Sequence, residues 1–205
     1  MKLSNHTQIF VKQKRELAEL FGFETRNKYE ILDAQMNVIG FCAEQQKGLL
    51  GMLFRQVFGH WRSFELHFFD NNRQQILVSK HPFRFIFQEF QIVNNQGVVL
   101  GSVKQRFGIF KKKFDVHNQH GDVIFEMRSG FFNFWTFPFF DRNGQMAALI
   151  QKKWSGMLKE LFTDADNFVV EFKTSMLTEN DRLIMLACSV FTDLQYFERK
   201  ASNNY

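Results

Sequence analysis

One stretch near the C-terminus limits what this 205-residue chain can become. Leu183 to Phe191 form a near-continuous apolar run, and Leu194, Tyr196 and Phe197 extend it. Glu179-Asn180-Asp181 precede the run, with Asn180 or Asp181 as the expected N-cap of a helix over about 180–198. At 3.6 residues per turn these side chains cover the whole circumference. Such a helix must be enclosed, by protein or by lipid. Lipid fits poorly. The nine-residue run rises roughly 14 Å, half a hydrocarbon core, and Thr192, Asp193 and Gln195 follow it. A carboxylate at the bilayer centre costs several kcal/mol. The rest of the chain must therefore build the enclosure, with Asp193 inside it and its carboxylate hydrogen-bonded.

The preceding sequence has the punctuation of an antiparallel sheet. Polar turn clusters stand at Asp33–Asn37, Asp70–Arg73, Asn94–Gly97, His120–Asp122 and Asp141–Gly144. From Asp70 onward about two dozen residues separate neighbours, room for two strands and a second, less polar turn. Asn and Gly accept the positive φ that tight hairpins demand. The flanks alternate as strands do: Phe64, Leu66 and Phe68 share one face while Glu65 and His67 share the other. A meander of hairpins without helices between them closes most economically into a barrel, and a helix threaded through a large barrel meets both constraints. Residues 154–162 suit a short second helix. Phenylalanine supplies the bulk, with 28 residues of 205, which excludes a disordered chain.

Charge and reactive residues narrow the function classes. Twenty-six Lys and Arg against 21 Asp and Glu leave +5, a bias toward anionic partners such as lipid headgroups or nucleic acid. Basic residues gather at Lys104, Arg106, Lys111, Lys112 and Lys113, and again at Lys152 and Lys153. In 130–140 aromatic residues fall on both strand faces: Phe131, Trp135, Phe137 and Phe139 on one, Phe132, Phe134 and Phe140 on the other. A barrel strand needs one apolar face, so part of this set is free to meet protein or the headgroup region. Of Phe134 and Trp135, only one can then reach lipid. Pro138 inside the run points to an edge or a bulge. Two cysteines, Cys42 and Cys188, build neither a disulfide framework nor a zinc cluster and fit a reducing compartment. The six histidines show no ligand spacing, and neither a nucleophile–base pair nor a phosphate-binding glycine loop is present, so the chain reads as a non-enzyme.

Particular motifs then become familiar. Lys153-Trp154-Ser155-Gly156, Phe162-Thr163-Asp164-Ala165-Asp166-Asn167-Phe168, the apolar helix ending Tyr196-Phe197-Glu198, and the entry segment Gly22 to Ile31 closely resemble the phospholipid scramblase family. The resemblance runs from about Ile9 to Glu198. It implies a mainly β, Tubby-like closed antiparallel barrel of about twelve strands threaded by a buried C-terminal helix, as in Tubby-like and LURP-one-related proteins, with 1–205 as one domain. It also implies phospholipid binding, calcium-triggered movement of phospholipids between leaflets, and calcium ligands at Asp164 and Asp166. The chain departs from the family at Val169, where a glycine is usual, and at Ser175, where an acidic residue closes the motif. Phe168, Val170 and Phe172 alternate like a strand, which carries its carbonyls away from Asp164. The family's cysteine-rich palmitoylation stretch is replaced by Pro82 to Phe90, so attachment falls to cations and aromatics.

The expected protein is a cytoplasmic scramblase-family barrel, peripheral at the inner face of a membrane and preferring anionic lipids. Lys111, Lys112, Lys113, Phe134, Trp135, Lys152 and Lys153 are its membrane contacts. The alternatives are a non-transporting lipid- or partner-binding module and a nucleic-acid-binding regulator. With no span to line a route across the bilayer, scrambling would call for oligomers or local bilayer deformation.

Overall fold

In a computed structural model the description covers residues 1–14, 25–45, 63–82, 87–107, 113–129, 135–153 and 167–196. Twelve strands follow one another: β1 (Gln8–Lys14), β2 (Thr25–Leu32), β3 (Val38–Gln45), β4 (Phe64–Asp70), β5 (Gln75–His81), β6 (Glu89–Asn94), β7 (Val99–Arg106), β8 (Lys113–Asn118), β9 (Val123–Arg128), β10 (Thr136–Phe140), β11 (Met146–Lys153) and β12 (Asn167–Phe172). Helix α1 (Glu179–Tyr196) ends the described chain. Each strand pairs antiparallel with its sequence neighbours, and β12 returns to pair with β1, closing the barrel. Closure removes the unpaired edges that invite aggregation.

One local device is used five times. Asp33, Asp70, Asn94, Asn118 and Asp141 each open a hairpin. In every case the side-chain Oδ1 accepts from the backbone N–H groups two and four residues on. The residue three positions on has positive φ: Met36, Arg73, Gly97, Gly121 and Gly144. The Asx side chain thus imitates a backbone turn and fixes the register of each hairpin. All five turns lie at one end of the barrel, here the turn end. The strand ends that flank the alternate connections, whose sequences are longer and less polar, lie at the opposite end, here the wide end.

Alternation along the strands sends Phe64, Phe68, Phe90, Phe114, Phe137, Phe139 and Phe168 inward, each 2% exposed or less. They surround α1, whose residues from Ile184 to Leu194 are all buried. Phe191 is the hub: its ring stacks on Phe90 at 4.3 Å and lies within 6.3 Å of Phe64, His81 and Phe114. The threaded helix expected from the sequence is therefore present. Its N-cap differs from the expectation. Thr178 Oγ1 accepts from Asp181 N–H while the Asp181 carboxylate accepts from Thr178 N–H, a capping box whose cap lies two residues before Asn180 and three before Asp181. Glu179 accepts from Leu3 and Ser4 N–H at 2.6 and 2.7 Å, and Arg182 donates to Leu3 and His6 carbonyls, so residues 1–6 close the turn end over the helix. No helix among the described residues is long and apolar enough to cross a membrane. The expected short helix at 154–162 lies outside the described residues.

Gly101 on β7 shows how closely helix and wall approach. A Cβ there would lie 2.4 Å from the His117 carbonyl oxygen and 2.7 Å from Ile184 Cδ1. The backbone oxygen cannot step aside, so Gly101→Ala should cost about 1–3 kcal/mol of overpacking, read as a lower thermal midpoint with an unchanged far-ultraviolet spectrum. Pro138 sits in no edge strand, since the barrel has none. Beside it the β10–β11 register shifts between Phe139 and Phe140, and β10 meets β9 through only two residue pairs, where the missing N–H is tolerated.

Candidate functional site

The antiparallel path sorts the connections by chemistry as well as by length. Residues between the strands at the turn end contain no aromatic side chain. Between the strand ends at the wide end the sequence reads Pro82-Phe83-Arg84-Phe85-Ile86-Phe87-Gln88, Phe107-Gly108-Ile109-Phe110-Lys111-Lys112 and Ser129-Gly130-Phe131-Phe132-Asn133-Phe134-Trp135, together with 15–24, 46–63 and 154–166. All three tryptophans, Trp61, Trp135 and Trp154, fall in these connecting sequences. Nearly every membrane or metal contact expected from the sequence therefore falls in these connecting sequences or at the strand ends that flank them. Phe87, which belongs to the Pro82 to Phe90 stretch already singled out, and Phe107, which the sequence reading left out, carry this chemistry among the described residues: they are 45% and 76% exposed. Their signal was there to read, as large aromatics at the ends of alternating strands.

Individual positions sort less simply. Lys111, Lys112, Phe134, Asp164 and Asp166 lie outside the described residues. Lys113 opens β8 on the outer face, half-buried. Trp135 is also half-buried and packs against the core on the same face as Phe137 and Phe139. Lys153 ends β11.

Lys152 corrects the expectation of a lipid-facing lysine. Its side chain is 3% exposed, its ammonium lies 3.9 Å from Asp193 Oδ1, and it stands 5.6 Å from the centroid of the Phe168 ring. The physical reason is phase. Ala148, Ile150 and Lys152 alternate onto the inward face of β11, opposite Phe172, Val170 and Phe168. Lys152 is an internal counter-charge for the helix. Asp193 also accepts from the Tyr29 hydroxyl at 2.8 Å, as its enclosure required. Burial first, then the Asp193 charge and hydrogen bond, push the Tyr29 phenol well above its ordinary range. Beside them Asn27 donates to the buried Glu44 carboxylate at 2.6 Å and accepts from Gln13. The interior is thus apolar around Phe191 and polar toward the wide end.

The outer wall near this end carries a charge ladder. Arg106 pairs through Nε with Asp115 Oδ1 at 3.2 Å and through Nη2 with Glu126, and Arg128 Nε pairs with the other oxygen of Glu126. Lys104 lies 3.5 Å from Glu89. Desolvation pushes the Glu126 carboxyl up, but the Arg128 hydrogen bond and the Arg106 charge outweigh it and hold the group below its usual range. Arg128 also lies over the Phe140 ring at 4.9 Å. Among the described residues no group of three or more His, Cys, Asp or Glu could hold a metal ion.

Comparison with known proteins adds lineage to this geometry. The profile of the family described as Scramblase matches residues 1–199. Human phospholipid scramblase 1 is 31% identical over 225 residues, an alignment covering 98% of this chain and 66% of that protein. Bovine phospholipid scramblase 2 is 29% identical, covering 96% and 70%. Altered inheritance rate of mitochondria protein 25 of Saccharomyces cerevisiae is 24% identical, covering 95% and 72%. An X-ray structure of an Arabidopsis thaliana protein has the same fold, with a TM-score of 0.50 at 14% identity over 91% of this chain and 90% of that one.

Proposed function

Because this chain belongs to the scramblase family, we propose that it binds phospholipid membranes peripherally with its wide end against the lipid, and that it promotes phospholipid movement between leaflets. The observation that carries this reading is the sorting of connections: aromatic and basic sequence at one end, polar Asx turns at the other. Aromatic side chains favour the headgroup level, and cations near an anionic surface add about 1 kcal/mol each. The proposed contacts are Lys111, Lys112, Lys113, Phe134 and Lys153, joined by Phe107 and Phe87. Trp135 contributes from its half-buried position at the rim. Two buried, free cysteines support a reducing, cytoplasmic setting at the inner face. No bond is made or broken by such a protein.

Calcium is proposed to act through Asp164 and Asp166. Calcium takes six to eight oxygens, and the next residue offers one: Asn167 Oδ1 is buried with no hydrogen-bond partner among the described residues. Bound there, the ion would supply positive charge beside the lipid-facing end.

Cosedimentation with phosphatidylserine vesicles tests the attachment. Binding should fall as salt rises, since exposed charge is screened over ~10 Å at 0.1 M, then level off above zero because apolar insertion is not screened. Changing Lys111, Lys112 and Lys113 to Gln should remove the salt-sensitive part, and Phe107→Ser with Phe134→Ser the plateau. Wild-type protein that ignores these vesicles at about 50 mM salt sinks the membrane reading. The packed apolar interior among the described residues favours a second reading, lipid binding without transport. Leaflet exchange in proteoliposomes, with and without calcium, separates the two. Asp164→Asn with Asp166→Asn should abolish any calcium response.

A further inference from the structure

Three cations face the same way at the wide-end rim. Lys113 is the direct cross-strand partner of Arg106 on one side and of Arg128 on the other. Directly opposed residues of antiparallel strands share a face, and all three point outward. With strands ~4.8 Å apart the row spans roughly 10 Å. Like charges in direct opposition destabilise a sheet. The carboxylates that relieve them, Asp115 and Glu126, sit one outward position further from the rim, where they hold Arg106 by Nε and Nη2 and Arg128 by Nε. Arg106 Nη1 and both Nη groups of Arg128 stay outside these ion pairs. Lys113 makes none among the described residues. The side chains of Arg106 and Arg128 are 45% and 47% exposed, and Phe107 follows directly beyond Arg106.

We propose that Arg106, Lys113 and Arg128 form a phosphate-binding row that prefers a phosphomonoester to a phosphodiester headgroup. A guanidinium fork matches two phosphate oxygens, and two forks flanking an ammonium surround one group with donors. A monoester carries ≈ −1.5 to −2 at neutral pH against −1 for a diester, so a three-cation row discriminates by charge. The shared Glu126 carboxylate competes with the incoming anion for the two arginines. In its lipid form the proposal rests on the membrane reading above, and names its headgroup class.

The test uses the whole chain and two sources of phosphate. Wild type should bind phosphatidylcholine vesicles containing phosphatidic acid about tenfold more tightly than vesicles with the same fraction of phosphatidylserine. Arg106→Gln with Arg128→Gln should erase that preference while keeping the phosphatidylserine binding contributed by Lys111, Lys112 and the aromatics. Glu126→Gln removes the internal competitor and should tighten phosphatidic acid binding severalfold. That gain cannot come from a damaged fold. Inorganic phosphate, followed by the NMR resonances of the arginine Nε–H groups, supplies the second arm. Phosphate shifts without vesicle binding would keep the site and sink the membrane reading. Vesicle binding with equal response to both lipids, or unchanged in the double variant, would overturn the phosphate row and leave the membrane reading standing. Silence in both arms removes both.

Discussion

Asp193→Ala should destabilise the protein by about 3–5 kcal/mol, because it leaves the Lys152 ammonium buried without its counter-charge. It also strips the Tyr29 hydroxyl of its acceptor, a loss of about 1–3 kcal/mol when such a group stays buried. The companion experiment separates charge from packing. Lys152→Met, Tyr29→Phe and Asp193→Leu together replace the polar cluster with apolar groups of similar size, and most of the lost stability should return. Chemical denaturation of the single and triple variants reads both. A single variant as stable as wild type would mean that water reaches the cluster. The pH dependence follows from the phenol. Folding raises its pKa, so below the ordinary value near 10 the stabilisation is fully present, and it is lost as pH climbs through the folded value. Burial pushes the Cys42 and Cys188 thiols up as well, with the same sign. Tyr29→Phe should therefore soften, without abolishing, the alkaline loss of stability.

The position of this cluster explains what could and could not be read beforehand. A helix apolar on every side leaves few choices, and hairpin turns at regular intervals supply the wall, so barrel and threaded helix were both legible. The strand number came with the family resemblance. Even the sorting of the two ends was implicit in the alternation of polar and less polar turns. Lys152 escaped because basic composition was read without strand phase. Ala148 and Ile150 precede it at two-residue steps, and that period alone would have turned it inward. Trp135 follows the same logic from Phe137 and Phe139. The row of Arg106, Lys113 and Arg128 was beyond sequence reasoning in a stricter sense. It depends on the pairing register of three strands, set by the turn at Asn118 and by the connection at 107–112, and no local pattern encodes it.

Phe191→Ala should have an effect of similar size and tell more about mechanism. The ring is fully buried and meets Phe90, Phe64, Phe114 and His81, so truncation should cost about 3–5 kcal/mol. For a chain of this length that lowers the thermal midpoint by about 6–20 °C. The neighbours come from β4, β5, β6 and β8, four strands that cannot all close in on the lost volume. A dry cavity therefore remains in the centre of the barrel. Two accounts of lipid handling respond differently to it. If phospholipids engage the outer surface of the wide end, vesicle binding and leaflet exchange at a temperature well below the midpoint should match wild type. If acyl chains enter the barrel, the new volume lies where they would go, and exchange or lipid affinity should change by several-fold. Unchanged lipid handling in a variant with a lower midpoint would confine the activity to the rim and the wall. A several-fold change would place the lipid inside the barrel and require the helix to move aside for it.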